Sequence, residues 1–132
     1  MKAVAGRQMR GLPVGARLTC VDNTGAKVVQ IVMVLNYHSV MRRYPSAGVG
    51  NMVIVSVKKG TPEMRKQLFP AVIVRQKRPF RRPDGTMIQF EDNAAVITTD
   101  TGVSKGSDLK GPVARAAAER YPRIAAAASA II

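Results

Sequence analysis

The stretch AVIVRQKRPFRRPDGTMIQFEDNAAVI, residues 71–97, decides how this chain is read. It opens on four apolar, largely β-branched residues, which suit a buried strand. With Pro70 before it and its polar continuation after it, PAVIVRQK (70–77) reads as a strand that turns from apolar to basic along its length. Five cations fall within eight residues: Arg75, Lys77, Arg78, Arg81 and Arg82, with Pro79 and Phe80 among them. Pro83-Asp84-Gly85 is a strong turn signal. TMIQFE (86–91) then reads as a strand running back, which gives a long hairpin with its base in the core and a cationic tip. Glu91 and Asp92 follow, and NAAVITT (93–99) continues as strand across a bend at Asp92-Asn93.

Outward from this segment the chain reads as β. RLTCVD (17–22) alternates, with Leu18 and Cys20 on one face, and DNTG (22–25) is a turn built from residues that tolerate left-handed backbone. AKVVQIVMVL (26–35) is β-branched and too poor in polar residues for a surface helix, and NMVIVSVK (51–58) puts Val53, Val55 and Val57 on a shared face. Between these two lies an irregular loop, residues 36–50, which carries Arg42 and Arg43 between Tyr37 and Tyr44. KKGTPEMRKQLF (58–69) is a basic connector with one helical turn after Pro62. After a glycine-spaced loop (100–111) the composition changes to alanine, with Pro112 suited to a first helical position and Pro122 dividing two short helices. Five or six short strands with Gly and Pro turns predict a mainly β, small closed barrel, with the helices covering one side. The expected organisation is one domain over 1–132: barrel and hairpin over about 11–100, then a C-terminal loop and helices over about 107–132.

A chain of 132 residues can bury one core, and without Trp and with only three Phe and three Tyr that core must be aliphatic. Net charge is +13, from 21 Lys and Arg against 8 Asp and Glu, so the partner sought is a polyanion. The charge is uneven. From Lys58 to Arg82 there are nine bases (Lys58, Lys59, Arg65, Lys66, Arg75, Lys77, Arg78, Arg81 and Arg82) against one acid, Glu63. Repulsion on this scale opposes compaction unless a polyanion relieves it. These nine cations, with Arg42 and Arg43, are the candidate RNA contacts, since guanidinium groups meet phosphate bidentately and lysines supply point charge. Phe80 suits either stacking on a base or packing at the hairpin base, and Tyr44 offers a second ring for a base.

Other chemistries lack their residues. The single histidine, His38, stands without a cysteine nearby and without a nucleophile motif, so neither a metal site nor a triad is expected, and no cofactor is implied. Glu91 and Asp92 point to opposite strand faces, which makes them poor acid–base partners; a turn closed by Asp92-Asn93 is expected instead. Cys20 reads as core packing in a reducing compartment. No run of about 18 apolar residues spans a bilayer, and the first residues lack the apolar stretch of a secretory signal. A free oligonucleotide-binding barrel needs aromatics across a sheet face, an RNA-modifying enzyme needs a catalytic constellation, and a membrane-surface binder needs an amphipathic helix; none is legible here.

AVIV (71–74), nine residues, DG (84–85), four residues, Phe90, two residues, Asn93, two residues and VI (96–97) resembles the signature of the universal large-subunit ribosomal protein L-fourteen family. DNTGAK (22–27), AGVGNMVIVSVKKGTP (47–62), FEDNAAVI (90–97) and GPVAR (111–115) agree in order. LPVGA (12–16), the longer loop at 36–47 and YPRIA (121–125) look like the archaeal–eukaryotic branch, whose eukaryotic member is called L-twenty-three. The resemblance implies a five-stranded β-barrel with a protruding basic hairpin and short C-terminal helices. It implies a non-enzymatic constituent of the large subunit, in the cytoplasm, bound to large-subunit ribosomal RNA. It further implies a place at the subunit interface, in a bridge that meets small-subunit ribosomal RNA. The expected neighbour is a ribosomal protein of the L-twenty-four-e type. An anti-association initiation factor is expected on an exposed face that includes Lys105, Ser107, Asp108, Lys110 and Arg115.

Overall fold

A computed structural model of the chain describes residues 10–35 and 41–132. His38 and Tyr37 lie outside the described residues. The strands, in chain order, are β1 (Leu12–Pro13), β2 (Arg17–Cys20), β3 (Ala26–Val34), β4 (Ser46–Ala47), β5 (Met52–Gly60), β6 (Leu68–Arg75), β7 (Phe80–Arg81), β8 (Met87–Ile88), β9 (Ala94–Ile97), β10 (Pro112–Val113) and β11 (Ala130–Ile131). Two helices, α1 (Arg115–Arg120) and α2 (Pro122–Ala127), precede β11. Five strands close a barrel in the order β2-β3-β5-β6-β9. All its pairings are antiparallel except the closing one, where β9 runs parallel to β2 with Thr19 opposite Ala94 and Cys20 opposite Ala95.

The barrel interior is aliphatic, as the composition requires. Leu18, Val29, Ile31, Val53, Val55, Val57, Phe69, Ala71, Ile73, Ala95 and Ile97 alternate inward and form one cluster. A second cluster sits outside the barrel wall. Val72, Val74, Ala94 and Val96, on the opposite face of β6 and β9, pack against Phe80, Phe90, Leu109, Val113, Ala117, Tyr121 and Ile124. All four residues of β9 are therefore buried, as strands covered on both faces must be. Each helix has only six residues, too few to hold in water alone. Packing holds them: Ala117 and Ala118 face the barrel and let α1 approach closely, and Ala114 donates its N–H to Val74 O at 3.0 Å. Pro122 occupies the first turn of α2 and separates the helices as expected.

Two expectations fail. The strand expected at 93–99 is present as Ala94–Ile97 and is the fifth of the barrel, whereas TMIQFE, expected in that place, contributes only Met87–Ile88, paired with Phe80–Arg81 in a separate ribbon. The chain leaves the barrel at Arg75, where Gln76 turns inward and Pro79 removes a ladder donor, and re-enters at Ala94. The long hairpin rooted in the core is thus a two-pair ribbon with irregular stems. Pro112 belongs to β10, which β11 joins in parallel, and α1 begins three residues later. Pro112 O accepts from Arg75 Nη1, a tie that keeps the residue in extended backbone.

Candidate nucleic-acid interface

The connector between β5 and β6 makes one helical turn, with Met64 and Arg65 N–H donating to Thr61 O, and Lys66 ends it in left-handed backbone (φ 63°). Thr61 N–H donates to Gly25 O at 3.1 Å, which ties the connector to the 22–25 turn. That turn is organised by Asp22. Its buried carboxylate accepts from Thr24 N–H at 3.3 Å, Thr24 Oγ1 at 2.7 Å, Cys20 Sγ at 3.1 Å and, across the barrel seam, Ile97 N–H at 3.0 Å. The sequence suggested only a turn residue; the link to β9 has no local signal. Cys20 is buried as expected, and burial, with the Asp22 charge beside it, pushes its thiol up to about 12.

The ribbon closes on Pro83-Asp84-Gly85 as expected. Gly85 N–H donates to Arg82 O, Arg82 N–H to Thr86 O, and Gly85 takes φ 93°. Asp84 accepts Thr86 N–H at 2.9 Å, and this bond, with the Thr86 hydroxyl and the nearby charges of Arg82 and Arg115, holds its carboxyl below the usual range. The tip therefore carries a fixed anion among its cations. The base of the ribbon is apolar: Phe80 is 1% exposed and stacks on Phe90 with ring centroids 6.3 Å apart. Phe80 is thereby committed to packing, and stacking on a base falls away for it. Tyr44, 80% exposed, keeps a free ring beside Arg43.

The nine cations of 58–82 do not form one patch. Lys58, Lys59, Arg65 and Lys66 are exposed around the connector, where β5 ends and β6 begins. Lys77, Arg78 and Arg81 are exposed beyond the other end of β6. Eight residues of strand separate the groups, roughly 25 Å at the usual rise. Arg42 and Arg43, both exposed, precede the β5 start, which pairs with the Val72 end of β6, so they belong with the second pole. Lys105 joins the first pole: its Nζ lies 4.8 Å over the Phe69 ring. None of these exposed cations has an ion-pair partner among the described residues.

Arg75 is different. It is 7% exposed, with Nε 3.0 Å from Asp92 Oδ1, Nη2 donating to Asp92 Oδ2, and Nη1 donating to Lys110 O and Pro112 O. Its fork is spent inside the protein, so it locks the C-terminal segment to the ribbon base rather than facing a ligand. Asp92 consequently forms an ion pair and leaves the turn to Asn93, whose Oδ1 accepts Lys77 N–H at 2.7 Å. Arg82 is half-buried, with one guanidinium nitrogen enclosed. Of the residues expected on a protein-facing surface, Lys105, Asp108, Lys110 and Arg115 are exposed, and Ser107 is held by Asn23 through two hydrogen bonds. Among the described residues no three His, Cys, Asp or Glu side chains converge on a metal-sized space, and no helix is long and apolar enough to cross a membrane.

Comparison with known proteins now bears on these surfaces. The family model described as "Ribosomal protein L14p/L23e" matches residues 11–132. The chain is 63% identical to large ribosomal subunit protein uL14 of Thermoplasma acidophilum over the full length of both. Identity to the uL14 of Picrophilus torridus is 61%, again over the full length of both, and to that of Methanococcus vannielii 58% over 99% of each chain. With a family match across nearly the whole chain and archaeal relatives at this identity, the barrel, its ribbon and its C-terminal helices belong to the ribosomal protein L14p/L23e family.

Proposed function

We propose that the chain is a structural, non-catalytic constituent of the large ribosomal subunit that grips large-subunit ribosomal RNA at two cationic poles. The observation that carries this is the set of exposed bases at both ends of β6 that have no ion-pair partner among the described residues. Desolvated pairs inside the protein, such as Arg75–Asp92, are built differently. One pole is Lys58, Lys59, Arg65 and Lys66; the other is Arg42, Arg43, Lys77, Arg78 and Arg81, with Arg82 partly enclosed. Two separated poles suit a folded RNA that presents phosphates on more than one side of a rigid barrel.

The finer placement follows the family. The chain lies at the subunit interface of a cytoplasmic ribosome and contributes to a bridge that meets small-subunit ribosomal RNA. A ribosomal protein of the L-twenty-four-e type is its neighbour, and the loop from Lys105 to Arg115 forms the face for an anti-association initiation factor. That the C-terminal segment shares its apolar cluster with β6 and β9 supports placing the barrel and the C-terminal helices in one folding unit. Sedimentation tests the proposal. Tagged chain in its own cells should co-sediment stoichiometrically with the large subunit and survive a high-salt wash; recovery only in soluble fractions would refute it.

A further inference from the structure

On the outer face of the barrel, β3, β5 and the start of β6 carry an apolar surface that no described element covers. Between Ile31 and Met33 the β3–β5 ladder slips by one residue, and this bulge sets Val32 and Met33 together opposite Ile54. Both side chains stand outward, 45% and 50% exposed. Ile54 in turn pairs with Pro70 on β6, and Leu68, 61% exposed, lies two residues away on the same face. Val32, Met33, Ile54, Leu68 and Pro70 thus form one aliphatic surface across three hydrogen-bonded strands, about 10 Å wide at the usual strand spacing.

Farther along the same face the chain supplies its own cover. Met52 and Val72, the next outward pair, pack against the cluster that holds Val113, Ala117 and Ile124. The cover stops there, and the exposed surface continues the covered one. Its other border is cationic. Lys58 follows Ser56 outward on β5, and Arg65 and Lys66 precede Leu68. Arg17 ends the row of Arg17, Gln30, Ser56 and Leu68 that runs across β2, β3, β5 and β6. All four cations are exposed, and none has an ion-pair partner among the described residues.

The geometry points to a protein-docking face: an acidic segment of a partner protein lays aliphatic side chains on Met33, Ile54 and Leu68 and sets its carboxylates against Arg17, Lys58 and Arg65. A contiguous apolar surface rimmed by charge marks an interaction site, where single exposed side chains would not. RNA is the poorer fit, because the surface has no aromatic ring on which a base could stack. A second copy, at net charge +13, would bring its own cations to the same rim. The face shares no residue with the 105–115 loop. It borders the first pole without resting on the RNA reading, and an acidic segment seated here would exclude RNA from Lys58 and Arg65.

The test is a titration of the ¹⁵N-labelled full chain with an acetylated decapeptide of alternating leucine and glutamate, compared with decaglutamate at matched ionic strength. The alternating peptide should shift the amides of Met33, Ile54, Lys58 and Leu68. Decaglutamate should shift Lys58 and Lys66 and leave Met33 and Ile54 unshifted. The double variant Met33→Ser, Leu68→Ser changes two side chains that are at least half exposed, so it should fold. It should weaken the alternating peptide about tenfold and leave decaglutamate and polyuridine binding unchanged. Undiminished peptide binding by the variant, or equal shifts at Met33 with decaglutamate, would overturn the docking face. Binding to phosphatidylglycerol vesicles that the variant abolishes, with the peptide silent, would overturn the protein partner in favour of a membrane surface. A wild-type dimer in sedimentation velocity that the variant dissociates would overturn it in favour of a second copy. Polyuridine binding without peptide binding would overturn this face and leave the RNA reading standing; peptide binding without polyuridine binding would do the reverse.

Discussion

Arg75 Nε lies 3.0 Å from Asp92 Oδ1, and the same guanidinium reaches two carbonyls of the segment that leads into α1. One side chain thereby joins the end of β6, the bend before β9 and the C-terminal segment. Removing it orphans two carbonyls and a carboxylate. Because Asp92 is 45% exposed, water takes over part of its solvation and the loss falls below that of a fully buried pair. Arg75→Ala should cost about 2–3 kcal/mol in denaturant unfolding. Arg75→Lys should recover little, since an ammonium cannot meet the carboxylate and two carbonyls together. An Arg81→Ala control, exposed and unpaired, should leave the unfolding midpoint unchanged.

The separation of the two cationic poles makes their contributions to RNA binding independent. Lys58→Gln with Lys59→Gln should flatten the log–log salt dependence by about 1.4–1.8 units, and Lys77→Gln with Arg78→Gln by a similar amount. With the poles roughly 25 Å apart, the quadruple variant should show the sum. Arg81→Ala with Arg82→Ala should approach two units at most, one nitrogen of Arg82 being enclosed. A slope unchanged by one pole's variant would show that this pole touches no phosphate.

Phe80 discriminates packing from recognition. Its ring is enclosed against Phe90, so Phe80→Ala should cost about 3–5 kcal/mol and disorder the ribbon. Tyr44→Ala, at an 80% exposed ring, should leave stability untouched and weaken binding to unstacked RNA. Unfolding curves for both variants, set beside RNA titrations, separate the two effects.

The barrel was legible because its strands announce themselves: the β-branched runs at 26–34 and 52–57 have no competing helical period. Residues 86–91 and 93–99 both read as strand, and only the second enters the barrel, for a physical reason. Ala94 and Ala95 carry little β-propensity, and small side chains stand there because β9 is covered on both faces; TMIQFE looked stronger and pairs only at Met87 and Ile88. The basic run was legible as charge, but not as geometry. Nothing local tells Arg75 from Lys77 or Arg78. Only the fold brings Asp92, Lys110 and Pro112 around it.

The Cys20 thiol predicts a pH response. Folding raises its pKa from 9.0 to about 12, through burial first and the Asp22 charge next. A raised pKa means the folded state favours the protonated form. Its contribution to stability is therefore complete below pH 9 and is lost as pH rises from 9 toward 12. At pH 8 the native chain should react with a thiol reagent far more slowly than the denatured chain. Equal rates would show that Cys20 is accessible and its burial transient.

Gly102 and Gly85 form a matched pair. Both take left-handed backbone, at φ 88° and 93°, so an added Cβ costs about 1–2 kcal/mol at either. Around Gly85 nothing lies within 4 Å of that Cβ, whereas at Gly102 it would fall 2.3 Å from the Tyr121 ring. Tyr121 is buried between α1 and α2, and its N–H is bonded to Ala117 O, so the ring cannot swing clear without disturbing the helices. Gly85→Ala should therefore lose only the backbone term. Gly102→Ala should lose about 2–4 kcal/mol, the excess being overpacking against Tyr121. Tyr121→Leu in the Gly102→Ala background should recover part of that excess. Absence of recovery in denaturant unfolding would place the cost in the 99–103 turn rather than in its contact with the helices.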